Sequence, residues 1–179
     1  MTDMVEVVID SIRVSLMNQQ RIIILREIDT ERYLAIWVGV YEAEHLTIAL
    51  QGVEISRPLT YDLFKSVIDR LNGLIVRVEV VALKNETFYG NIVIERNGEI
   101  FNIDSRPSDA INMAARTHVP IFVSREVMDK AGIVPEEDII QEEVIEETDL
   151  EVEEEGDLSV FEDFIEKLDL DDDMGDEDN

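Results

Sequence analysis

The 179 residues carry 42 Asp and Glu against 15 Lys and Arg, a net charge of −27, with 45% apolar residues and no cysteine. The missing cysteine excludes thiolate catalysis, cysteine zinc centres and disulfides. The charge is uneven: residues 136–179 hold 23 of the acids and one base, which leaves residues 1–135 nearly balanced.

From Val5 to Leu16, first Val5, Val7 and Ile9, then Ile12, Val14 and Leu16, alternate with polar neighbours. This predicts a strand, with a bulge near Asp10 absorbing the change of phase. Arg21–Glu27 and Arg32–Val38 are denser runs of branched and aromatic residues across a turn at 28–31, and predict central strands. After Gly39, the spacing of Ala43, Leu46, Ile48, Ala49 and Leu50 predicts a helix over Glu42–Leu50 closed by Gly52. Arg57 and Pro58 mark a loop. Thr60 is the expected cap of a second helix, whose apolar face is Leu63, Phe64, Val67, Ile68 and Leu71 and which stops at Asn72 and Gly73.

Leu74–Leu83 and Thr87–Glu95 predict strands joined across Lys84–Glu86, so the sequon at Asn85 reads as a hairpin turn. Asn97 and Gly98 suit a tight hairpin into Ile100–Ile103. Pro107 fits a first helical position and holds Arg106 before it in extended backbone, which predicts a helix to about Thr117. A short strand at Ile121–Val123 follows, then a last helix capped by Ser124 with Gly132 beyond its end. The fold class is α+β, with a mixed, mainly antiparallel sheet and helices. Each half reads as three strands followed by helical material, an order that internal duplication and chance both produce.

Residues 136–179 are too acidic to bury the apolar surface that would offset their ordering entropy, so this acidic tail is expected to stay largely disordered. The folded unit is therefore expected to be residues 1–135, long enough to bury roughly two-thirds of its unfolded surface. Within the tail, Ser159 and Glu162 have capping-box spacing, and Phe161, Phe164, Ile165 and Leu168 share one face of a short helix near 159–169. That face would dock on the body, on a second subunit or on a protein partner. No apolar run reaches membrane-spanning length, no secretory signal is evident, and a soluble cytoplasmic protein with no membrane contact is expected.

Four segments, GVYEAEHLTIAL at 39–50, RPLTYDL at 57–63, TFYGNIVI at 87–94 and DSRPSDAINMAAR at 104–116, together resemble the bifunctional nuclease domain family. The resemblance spans nearly all of residues 4–135. It implies hydrolysis of phosphodiester bonds in DNA and RNA, assisted by a divalent metal, magnesium or manganese. VFEDFIEKLDLDD at 160–172 is similar to the acidic tail of bacterial members and implies a bacterial, cytoplasmic origin. One position departs from the pattern: family members often carry histidine where this chain has Tyr61.

On that resemblance, Asp104, Asp109, Glu42 and Asp62 are the candidate catalytic carboxylates, with Asp104 and Asp109 the candidate metal ligands. Arg57, Arg106 and Ser108 are the candidate phosphate contacts, and His45 and Tyr61 are further candidates. Each has an ordinary alternative. Asp109, third in its helix, fits a residue that caps exposed amides, and Arg106 fits a clamp paired with Asp104 or Asp62. Glu42 and Glu44 diverge on a helix and do not share an ion. His45 and His118 also fit surface or half-buried polar positions, and Trp37, Tyr41, Phe88, Tyr89 and Phe101 fit the core as well as a base-stacking role.

The sequence has no clustered basic patch, which speaks against tight nonspecific binding of nucleic acid. The tail sharpens that objection, either as an intramolecular mimic of a polyanion or as a device for solubility and partner selection. Asp169, Asp171 and Asp173 lack the glycine placement and closing glutamate of a calcium loop, and phosphate-cradling glycine loops, HExxH and Gly-x-Ser-x-Gly are absent. The alternative to a nuclease is a noncatalytic interaction module with a recruiting tail. The apolar strand runs also favour a homo-oligomer, most simply a dimer.

Overall fold

The computed structural model describes residues 3–15 and 20–134; the expectations for the acidic tail lie outside them. The alternating runs form β1 (Met4–Val14), β2 (Arg21–Glu27) and β3 (Tyr33–Val38), an antiparallel meander. The register of β1 against β2 shifts between Ile9 and Ser11, so the bulge stands at Asp10 as expected. β2 sends Ile23, Leu25 and Glu27 inward, which explains why a dense apolar run forms an interior strand.

A second meander, β4 (Leu74–Lys84), β5 (Thr87–Arg96) and β6 (Glu99–Ser105), is joined by two tight turns. Asn85 and Glu86 take positive φ in one, and Asn97 and Gly98 in the other, as paired left-handed residues do in type I′ hairpins. β7 (Ile121–Ser124) links the meanders, parallel to β4 and antiparallel to β1, and β8 (Gly132–Ile133) adds to β3. Among the described residues one eight-stranded mixed sheet results, in the order β6-β5-β4-β7-β1-β2-β3-β8.

The helices are α1 (Val40–Gln51), α2 (Thr60–Arg70), α3 (Pro107–Thr117) and α4 (Arg125–Ala131). α3 carries the apolar load: Ala110, Ile111, Met113 and Ala114 are buried, together with Leu46 of α1 and Ile75, Val78, Val80 and Ile92 of the sheet. Fully burying a side chain of this size stabilises by about 1.5–3 kcal/mol, so α3 is the keystone between sheet and outer helices. Ser124 caps α4 by accepting from the Val127 amide, as its position predicts.

Three expectations need correction. Thr60 does not cap α2: the N-cap is Leu59, and the Asp62 carboxylate accepts the Leu59 amide. The apolar stripe of α2 is not a core face, because only Ile68 of it is buried, while Leu63, Phe64, Val67 and Leu71 are exposed. The aromatic residues of the strands are mostly outside too: Trp37, Tyr89 and Phe101 are exposed, as is Tyr41, whereas Phe88 packs on the core.

Candidate functional site

The β6–α3 junction is set by a close backbone approach. A Cβ at Gly90 of β5 would lie 2.9 Å from the Pro107 nitrogen and 3.0 Å from the Arg106 carbonyl carbon, so only glycine lets the start of α3 rest on the strand. Arg106 is the N-cap in extended backbone and Pro107 the first helical residue, as the sequence predicts.

From that cap the Arg106 side chain turns back onto its own helix. Its Nε donates to Asp109 Oδ2 at 2.8 Å and its Nη2 to Oδ1 at 3.0 Å, a two-toothed pair, while Nη1 meets Glu42 Oε1 at 2.8 Å. Tyr61 of α2 donates its hydroxyl to Asp109 Oδ1 at 2.7 Å. Residues of α1 and α3 thus meet on one guanidinium, and α2 joins them through Asp109. Glu42 lies in the first turn of α1, folded back over Gly39, where any side chain would collide with its carboxylate.

Asp109 therefore does not cap amides, and Arg106 pairs with Asp109 and Glu42 rather than with Asp104 or Asp62. Arg106 keeps a 65% exposed side chain despite these bonds. The Asp109 hydrogen bond holds it above the ordinary guanidinium range, so its charge is permanent. Burial, then the Asp109 hydrogen bond and charge, push the Tyr61 hydroxyl above the phenolic range, so it is a neutral donor. His45 of α1 packs edge-on against the Tyr61 ring, with centroids 5.5 Å apart, and its buried Nδ1 has no hydrogen-bond partner among the described residues.

The remaining candidates stand elsewhere. Asp62 holds the α2 start and accepts Arg116 Nε at 2.9 Å, away from Arg106. Arg57 is exposed and lines a separate cavity of about 600 Å³ with Asp62, Arg116 and His118. Ser108 is 7% exposed, in the first turn of α3. Asp104 is exposed on β6, makes no ion pair among the described residues, and shares a largely apolar cavity of about 430 Å³ with Asp109, Tyr61, Leu63, Phe64 and Ile103.

Two residues without an assigned role organise this region. Asn112, fully buried, donates to the Glu42 and Ser108 carbonyls and accepts from Arg116 Nη1. Arg116 also donates to the His45 carbonyl, and its guanidinium lies 5.3 Å from the Tyr61 ring centre. The signal was present as a polar pair four residues apart, flanking the apolar Met113, Ala114 and Ala115 of α3.

For a divalent ion the donor set does not fit. Asp109 and Glu42 are bound to a guanidinium, and among the described residues no three His, Asp or Glu side chains converge. A metal centre needs several convergent oxygen donors, which Asp104 and Asp109 alone do not supply.

A profile of the bifunctional nuclease domain matches residues 23–136. An uncharacterized protein of Mycobacterium tuberculosis is 36% identical over 93% of this chain and 96% of its own length. A rice protein named bifunctional nuclease 2 is 32% identical over 64% of this chain and 36% of its own length. Arabidopsis thaliana bifunctional nuclease 1 is 32% identical over 45% of this chain and 26% of its own length. No helix among the described residues is long and apolar enough to cross a membrane.

Proposed function

The chain belongs to the bifunctional nuclease domain family, and from that premise we propose that it hydrolyses phosphodiester bonds of nucleic acid at the β6–α3 junction. The observation that carries this reading is Arg106: a permanent, solvent-facing cation whose direction is held by Glu42 and Asp109. A guanidinium so oriented suits a non-bridging phosphate oxygen, where it would offset charge as water adds to phosphorus. Asp104, a motif carboxylate that makes no ion pair among the described residues, accepts the proton of that water, and the leaving oxygen is protonated from solvent. Tyr61 acts as a positioning residue, holding Asp109 for Arg106.

A second reading, a noncatalytic interaction module, is favoured by one specific observation: Glu42, Asp109 and Asp62 are all neutralised by arginines within the fold. Purified full-length chain, Asp104→Ala and Arg106→Gln, each checked by thermal unfolding, distinguish the two. Single-stranded and duplex DNA and RNA are offered with magnesium, with manganese and with chelator. Nuclease action predicts cleavage by wild type and a loss of at least about 100-fold in each folded variant. Cleavage equal in all three proteins, or none in any, removes the hydrolytic reading.

A further inference from the structure

Leu63, Phe64 and Val67 on α2, Leu71 at its C-cap, and Phe101 and Ile103 on β6 are each 40–59% exposed. Leu63, Phe64, Val67 and Ile103 line one cavity, so helix stripe and strand form a continuous surface. These six side chains leave on the order of 500 Å² of apolar area in water, at the upper end of what a monomer carries. Beside them β6 is the terminal strand of the sheet, so one edge of it has no strand partner among the described residues. It is seven residues long and has neither lysine nor proline to blunt it.

We propose that a second copy of this chain covers this face, pairing the two β6 strands antiparallel about a two-fold axis and packing the two α2 stripes together. An amphipathic helix from elsewhere in the chain would cover the stripe but leave the β6 edge open. A two-fold contact satisfies both, since the same edge and the same stripe meet themselves. Full overlap of the seven residues sets the register. Asn102 then faces its own mate, Phe101 faces Ile103 of the partner subunit, and Asp104 faces Ile100 of the partner subunit, so no two acids stand opposite. Covering both copies buries on the order of 1,000 Å² of apolar surface, the scale of a specific interface. The cavity holding Asp104, Asp109 and Tyr61 gains a wall from the second copy. None of this depends on the nuclease reading.

Sedimentation equilibrium of the full chain is expected to give twice the chain mass of 20.5 kDa, with Val67→Glu and Phe101→Glu raising the dissociation constant at least about 100-fold. The chain has no cysteine, so Asn102→Cys tests the register directly. Mild oxidation is expected to link that variant into a covalent dimer, while Trp37→Cys, exposed on β3, stays unlinked. A wild type that is monomeric at about 100 µM, a three-fold assembly, or a dimer untouched by both glutamates overturns the proposal. So does a sedimenting Asn102→Cys dimer that oxidation leaves unlinked.

Discussion

Tyr61 occupies a position where the family resemblance expects histidine, and its chemistry is different. An imidazole changes charge near neutral pH, whereas this phenol stays protonated and donates to Asp109 at 2.7 Å. The Arg106–Asp109 pair is therefore held in one geometry across the neutral range. Tyr61→Phe is expected to cost about 1–2 kcal/mol in urea unfolding at pH 7, the worth of a hydrogen bond to a carboxylate that keeps its arginine. Because the folded pKa is raised, this contribution is complete below the ordinary value of about 10 and is lost as pH climbs through the raised one. The stability gap between wild type and variant should close in that window. A gap that stays constant into strong alkali would assign the loss to packing. The residue types at this site were readable from the motifs, but their partners were not: Asp109 has the spacing of a cap, and only the turn of Arg106 back onto it makes it half of an ion pair.

Among the elements, the contact of β5 with the start of α3 decides whether the site exists. A methyl at Gly90 would sit 2.9–3.0 Å from the Arg106 and Pro107 backbone, atoms that cannot swing aside as a side chain can. Gly90→Ala should therefore destabilise by about 1–3 kcal/mol and displace Arg106, so that the melting temperature falls and, on the proposed nuclease reading, cleavage falls with it. An unchanged melting temperature would show that α3 slides freely on the sheet. The strand and helix order was legible because periods of two and 3.6 are local properties of the chain. What a periodic stripe does not encode is its occupant: the sequence shows α2 to be amphipathic, yet in the fold Ile68 alone of its stripe reaches the core.

For the whole molecule, charge is the dominant fact. Residues 136–179 carry most of the net −27, and a polyanion in the same chain would compete with phosphate for exposed guanidinium groups such as Arg106. Deleting that segment is expected to raise affinity for single-stranded DNA at low salt, an effect that fades as ionic strength rises. Equal binding by full-length and shortened chains at every salt concentration would leave the segment a role in solubility or partner choice alone.

The amino-acid order determined the α+β class, the hairpin turns, the bulge at Asp10, the helix start at Pro107 and the motifs of the family, because each depends on residues near one another in the chain. Tertiary structure decided the rest. It brought Glu42 and Asp109 onto the Arg106 guanidinium, set Tyr61 on Asp109, and sent Asp62 and Arg57 to another cavity. It also left an apolar face and an open strand edge in solvent. Charge pairing and exposure depend on which distant segments meet, and that information appears only once the sheet has closed.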